Sequence, residues 1–301
     1  MKLLPLLSVL AFAAPAFAWD PAGHMLVDQI AWNHLQPAAR ARVTELVKAL
    51  ETTYNEGQPY NFVTAGAWMD DMRAKKGYAW AKWHYMDSPW SADASMFAVG
   101  EPPHVLSGIA DSLKTLRDHA AKPEDASIAL AMLTHFIGDV HQPLHCTDRN
   151  NDRGGNGVLI SGVVFSDLRP KTVANLHTYW DKAFRFDAVE GKVGEVWMAP
   201  AIPDRPKAAG EGLIAAEAAK IEAQFPREKA AALAKTAPED WAKESYVLGC
   251  TVVYPPKSEP ADNAAVPLTA EYAAHSRPVA LERVALAGYR LADVLNEIFA
   301  K

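Results

Sequence analysis

The chain has 301 residues, 50% of them hydrophobic and 22% charged, with 17 Gly and 21 Pro, a globular composition that excludes a disordered or low-complexity protein. A chain this long buries a good core without staples, so its 2 cysteines do not read as a disulfide framework. The formal net charge of -6 and pI of about 5.9 argue against a basic face that grips duplex DNA by counterion release, so any phosphate chemistry must attract phosphate locally, through metal ions.

Lys2 precedes an apolar run from Leu3 to Ala14, and Ala16-Phe17-Ala18 places small residues at both cleavage positions, which is the pattern of a secretory signal peptide over residues 1–18. The run is too short for a bilayer, which takes about 20 apolar residues, and no later stretch reaches that length without charges. The expected mature chain, 19–301, is therefore exported and soluble, and begins at Trp19 with a free amino group. Leu26, Ile30 and His34 share one face of a first helix, and Pro37 suits the first turn of a second that runs to about Leu50. Further helices are expected over Phe62–Arg73, Leu106–His119 and Ala126–Val140, the last ended by Pro143. After the Gly154-Gly155-Asn156-Gly157 turn, Val158–Phe165 reads as β, as a small hairpin beside the helices. Leu281, Val284, Gly288, Leu291, Leu295 and Ile298 recur at threes and fours and mark the C-terminal helix. No repeat, charge block or flexible linker divides the chain, so it reads as one mainly α-helical domain.

Two clusters have the form His-x-x-x-Asp, His135 with Asp139 and His177 with Asp181. On a helix such a pair shares one face, with Cβ atoms roughly 6 Å apart, so it can close on one ion, and imidazole and carboxylate are good zinc ligands. One pair alone reads equally as an ion pair or a helix-supporting hydrogen bond; two, with further His and Asp between apolar neighbours, point to metal. His145 follows the break at Pro143, where a turn can bring its imidazole back over the helix end. Asp70 and His84 sit beside large apolar residues, where an unpaired charge is costly and burial calls for a cation. Asp71 points elsewhere on its helix and reads as a solvated acid. Trp19 and His24 bring an α-amino nitrogen, a carbonyl oxygen and an imidazole to the mature N-terminus.

Taken in order, Trp19-Asp20-Pro21-Ala22-Gly23-His24, Trp68-Met69-Asp70, Trp83-His84-Tyr85-Met86-Asp87, His135-Phe136-Ile137-Gly138-Asp139-Val140-His141-Gln142-Pro143-Leu144-His145, Gly154-Gly155-Asn156, Asn175-Leu176-His177-Thr178-Tyr179-Trp180-Asp181 and Trp241-Ala242-Lys243-Glu244-Ser245 resemble the S1/P1 nuclease family, secreted single-strand-specific zinc nucleases. The resemblance implies a mainly α fold of the zinc phospholipase C and nuclease type with three Zn2+ ions per chain. Asp70, His84, His135 and Asp139 would hold the first; His145, His177 and Asp181 the second; the amino and carbonyl groups of Trp19, His24 and the other oxygen of Asp139 the third. Asp87 matches the position whose carboxylate orients or deprotonates the attacking water, with a partner of a ligand histidine as the competing role. Its distance of three residues from His84 implies an irregular segment, set by Ser88-Pro89.

The implied activity is endonucleolytic hydrolysis of single-stranded DNA and RNA to 5′-phosphorylated products, with 3′-nucleotides as further substrates, no stable protein partner and no membrane. A zinc phospholipase C and a non-catalytic exported zinc-binding protein are the alternatives. The family pattern does not require His141, and His34, His104, His119 and His275 lack ligand spacing. Trp68, Trp83 and Trp180 read as seals around the metal residues. Cys146, next to His145, and Cys250 are expected as an exported disulfide that pins the metal loop, with a thiolate near zinc as the other reading of Cys146.

Overall fold

The computed structural model describes residues 19–50, 52–54, 57–73, 79–165, 175–189, 196–200, 202–203, 205–206, 211–255 and 264–299; the expected signal peptide lies outside them. Asp20 caps α1 (Pro21–His34), its side chain accepting from the Gly23 N–H at 3.1 Å. Next comes α2 (Pro37–Val47). Both helices open on proline, which lacks an N–H where none is needed and is preset to helical φ. A short antiparallel pair, β1 (Thr53–Tyr54) with β2 (Gln58–Pro59), leads to α3 (Phe62–Ala65) and α4 (Trp68–Arg73).

The single helix expected over Phe62–Arg73 is thus two. At the break, the Gly66 N–H is taken by Asp28 Oδ2 at 2.8 Å and its carbonyl by His135 Nδ1 at 2.7 Å, so both backbone groups serve other elements.

Next come α5 (Val105–Arg117) and α6 (Pro123–Val140). From Ala126 to Val140 every residue of α6 but Ile128 is buried, as befits a helix apolar all round. It runs through the middle of the bundle, touching α1, α2 and α5. The remaining elements are β3 (Ile160–Ser161), β4 (Val163–Phe165), α7 (Leu176–Trp180), β5 (Phe186–Val189), β6 (Val196–Pro200), α8 (Glu211–Gln224), α9 (Pro238–Leu248), β7 (Val266–Pro267) and α10 (Ala270–Phe299), which packs on α1, α2 and α6. One buried apolar cluster extends from Trp19 to Leu295. No helix among the described residues is long and apolar enough to cross a membrane.

The mainly α expectation holds, and Val158–Phe165 does form strand, but not a hairpin. A single residue, Gly162 at φ 78°, separates β3 from β4, too few to fold one back on the other. Instead β3 pairs in parallel with β7, Ile160 opposite Val266, and β4 in parallel with β6, Val163 opposite Val196; β6 also takes β5 antiparallel.

The C-terminal end of α6 is held by buried charge. Its orphan carbonyls need donors: Ser245 Oγ donates to Val140 O at 2.6 Å, and Arg283 Nε to His141 O at 3.2 Å. Glu244 neutralises the cations behind them, accepting from Arg283 Nη1 at 3.0 Å and from Arg290 Nη1 and Nη2 at 2.8 and 3.0 Å. This accounts for the Trp241–Ser245 stretch as a clamp on the helix that carries Asp139. Replacing Glu244 by Ala leaves two buried guanidinium groups without their carboxylate and should cost about 3–5 kcal/mol in denaturant unfolding; a loss within about 1 kcal/mol, as for an exposed pair, would contradict this account.

Candidate metal centre

Every residue proposed from sequence as a metal ligand is buried, Asp70 being the most exposed at 6%. An isolated charge at such depth is prohibitively costly, so the donors have to be paired with something. His24 lies in the first turns of α1, Asp70 in α4, and His135 and Asp139 one turn apart on α6. His84 ends a 3-10 turn, Ala81–His84, and His145 ends another, Pro143–His145, which brings its ring back over the end of α6 as the proline break predicts. His177 is on α7, with Asp181 at its C-cap.

These side chains converge in three groups that could hold a cation: His24, His135 and Asp139; Asp70, His84 and His135; His145, His177 and Asp181. Within each, the donor atoms lie within 4.8 Å of one another. At the centre, His135 Nε2 is 2.9 Å from His84 Nδ1 and 3.3 Å from Asp139 Oδ2, and His84 Nδ1 is 3.1 Å from that same oxygen. Ligands at about 2.0–2.1 Å from a tetrahedral ion stand roughly 3.3 Å apart, so the spacing suits a shared ion.

The histidine tautomers are set by backbone carbonyls, which only accept. His135 Nδ1–H donates to Gly66 O at 2.7 Å, His145 Nδ1–H to His84 O at 2.7 Å, and His177 Nδ1–H to Gly154 O at 2.6 Å. Each leaves Nε2 as a lone pair, the arrangement found behind metal-binding imidazoles. Gly154 has φ 60°, and a Cβ there would stand 2.3 Å from Leu144 O, so only glycine presents that carbonyl.

The electrostatics ask for a cation. Among the described residues, both ring nitrogens of His24, Oδ2 of Asp70 and Oδ1 of Asp139 are buried without a hydrogen-bond partner. Burial, reinforced by His135, drives His24 well below the usual histidine range, and burial pushes the Asp181 carboxyl well above the carboxylate range. Burial would raise Asp139 too, but His135 and the bonds from His135 and His84 hold it well below. Imidazole nitrogens and converging carboxylates with orphaned oxygens fit a divalent ion of the zinc type.

Trp19 is seated against the same helix. Its Nε1 donates to Gly138 O at 2.9 Å, and the Asp20 N–H to Asp181 O at 3.2 Å. A Cβ on Gly138 would lie 2.7 Å from His24 Nδ1, so glycine lets α1 come this close to Asp139. Asp87 follows in an irregular segment, as its spacing implies: Met86 N–H donates to His145 O at 2.7 Å and Asp148 N–H to Ser88 O at 2.9 Å. It lies at the exposed rim, where partial desolvation and the Asp148 carboxylate push its pKa up while His145 opposes them.

Other residues fall outside the groups. Asp71 is not solvated as expected but ion-paired with Arg205 and hydrogen-bonded by Tyr60 OH at 2.6 Å. His141 is committed elsewhere, its Nδ1 on Ile137 O and its Nε2 on Arg290. His34 pairs with Glu222, and His104 caps α5. Trp68 and Trp180 are buried with their indole N–H groups on Thr52 and Tyr272, and Trp83 lies over Phe136. Sequence reasoning passed over Gln142, whose Nε2 donates to Asp181 Oδ1 at 2.8 Å, and Asp28, although His24-x-x-x-Asp28 repeats the very spacing that marked the other two pairs.

The expected disulfide is absent: Cys146 and Cys250 are both free and buried. Cys146 Sγ turns toward Val140 O at 3.6 Å, inside the α6 clamp, while Cys250 belongs to the π turn Gly249–Val253 and faces Tyr246. Cys146 belongs to none of the three groups, and burial pushes its thiol up to about 12.

The chain matches the family model described as S1/P1 Nuclease over residues 19–300. It is 26% identical to Endonuclease 2 of Arabidopsis thaliana, over 96% of this chain and 94% of that protein. It is 25% identical to Nuclease P1 of Penicillium citrinum, over 93% and 97%. Nuclease S1 of Aspergillus oryzae matches at 25% over 63% of each chain.

A thiol assay separates the two accounts of the cysteines. Denatured without reductant, the protein should release both Cys146 and Cys250 to Ellman's reagent, and neither should react while folded; denatured protein without free thiol would restore the disulfide.

Proposed function

The chain belongs to the S1/P1 nuclease family, whose members are metal-dependent, and we propose on that premise that it is an exported zinc endonuclease. Its substrates are single-stranded DNA and RNA, its products carry 5′-phosphates, and it also removes phosphate from 3′-nucleotides. Family membership makes it a hydrolase of phosphodiester bonds. What carries the finer reading is the convergence of three buried His/Asp groups in a protein whose own charge of -6 would otherwise repel a polyanion.

In this reading Asp70, His84, His135 and Asp139 hold one zinc ion and His145, His177 and Asp181 a second. The amino and carbonyl groups of Trp19, with His24 and the other oxygen of Asp139, hold a third. Bound zinc supplies Lewis acidity toward the phosphodiester and lowers the pKa of water toward about 7. Asp87 is the catalytic base: a water oxygen bonds to phosphorus, a carboxylate oxygen of Asp87 takes the water's proton, the P–O3′ bond breaks, and the departing 3′ oxygen takes a proton from solvent water to leave as the 3′-hydroxyl. Its raised pKa makes it a stronger base than an ordinary aspartate at neutral pH. Gln142 fixes the Asp181 carboxylate, and the Gly66, His84 and Gly154 carbonyls fix three imidazoles, so the donors need no reorganisation.

Export rests on the leader pattern of residues 1–18. While residue 18 is attached, the Trp19 nitrogen is an amide and no donor to zinc at neutral pH, so leader removal completes the third group.

The decisive experiment incubates the zinc-loaded mature protein with a single-stranded oligonucleotide and dispersed phosphatidylcholine and records phosphorus NMR. New 5′-monophosphate resonances with intact lipid are expected; phosphocholine with an intact oligonucleotide would make it a phospholipase C. Asp87→Asn should lower turnover about 10²–10⁴-fold with zinc content unchanged; unchanged turnover would remove Asp87 from the chemistry. A variant carrying one extra alanine before Trp19 should lose the third ion in metal analysis, and full zinc content would exclude the amino ligand.

A further inference from the structure

A fully buried carboxyl in this structure belongs to none of the three groups, yet it touches the joint on which one of them is built. Asp28 stands four residues after His24 on α1 and is 0% exposed. It has no ion-pair partner among the described residues, and its Oδ1 has no hydrogen-bond partner. Its Oδ2 accepts the Gly66 N–H at 2.8 Å. Such a group is costly to bury, and the fold gains no charge pairing from it.

Gly66 is where that cost finds a use. Its carbonyl accepts the His135 Nδ1–H at 2.7 Å, which turns His135 Nε2 toward His84 Nδ1 at 2.9 Å and Asp139 Oδ2 at 3.3 Å. Two residues later α4 begins, and it carries Asp70. The fit at this point is tight: a Cβ on Gly66 would meet Asp28 Oδ2 at 2.6 Å and His24 Cβ at 3.2 Å. The His24 ring meanwhile stacks on His135 with centroids 3.9 Å apart. One carboxyl thereby joins α1, the α3–α4 joint and, through Gly66, the ring on α6.

We propose that Asp28 is a positioning residue, whose carboxyl holds the Gly66 backbone so that His135 and Asp70 are set for one metal ion. The proposal rests on the reading that these groups bind metal. Among the described residues Asp28 makes its hydrogen bond to the Gly66 backbone, and it acts through Gly66. Burial pushes its carboxyl well above the usual range.

The test compares wild type, Asp28→Asn and Asp28→Leu, each in a His177→Ala background that removes the second group. Zinc affinity is measured by chelator competition. Asp28→Asn keeps an acceptor oxygen for Gly66 and should bind as wild type does, whereas Asp28→Leu should raise the zinc dissociation constant about 10–100-fold. Should the leucine variant not fold, Asp28→Ser, whose hydroxyl falls short of Gly66, takes its place with the same expectation. A second readout needs no metal: the downfield imidazole N–H resonance of His135, held by the Gly66 carbonyl, should persist in wild type and Asp28→Asn and vanish in Asp28→Leu. Equal zinc affinities with an unchanged resonance in Asp28→Leu would overturn the positioning role. Loss of the resonance in a protein whose wild type binds no zinc would uphold it and overturn the metal reading instead.

Discussion

The site depends on one carboxylate, Asp139, buried without access to water and faced by four imidazoles. His84 Nδ1 stands 3.1 Å and His135 Nε2 3.3 Å from Oδ2, and His24 Nε2 3.6 Å and His145 Nδ1 3.7 Å from Oδ1. Such a group is tolerable only where its surroundings are rigid and complementary. The surroundings follow from that need: a helix buried on nearly all sides carries Asp139, glycine at 138 admits His24, and the Glu244–Arg283–Arg290 clamp secures the helix end just beyond it.

The candidate metal groups are coupled to each other by backbone as much as by side chain. His84 contributes its ring to the group with Asp70 and His135, and its carbonyl to His145 in the group with His177 and Asp181. A shift of the Ala81–His84 turn would misplace donors in both. The same turn leads into the segment that carries Asp87, whose strand-like contacts with His145 and Asp148 keep the rim in register with the interior.

Much of this was legible in the amino-acid order because its signals are local and chemical. Apolar spacing and prolines marked α1, α2, α5, α6 and α10, and the four-residue His/Asp spacing marked His135, Asp139, His177 and Asp181. What escaped depends on partners distant in sequence. The break at Gly66 follows from Asp28, 38 residues upstream, and His135, 69 downstream. Likewise, β3 and β4 find partners in β7 and β6, which local alternation cannot name. The cysteines misled for a related reason: nearness of Cys146 to His145 says nothing of direction, and its thiol points into the α6 clamp.

The donors are drawn from widely separated parts of the chain: His24, Asp70, His84, His135, Asp139, His145, His177 and Asp181 come from six separate elements or turns. Cations seated among them would act as cross-links, closing loops tens of residues long that no disulfide closes in this protein. The affinity for metal is therefore also a report on whether the whole chain has folded, because a chain with any one of these elements out of place offers only scattered, weak ligands. Assembly of the site and proofreading of the fold would then be the same event, and a chain of this design would carry its own criterion for having folded correctly.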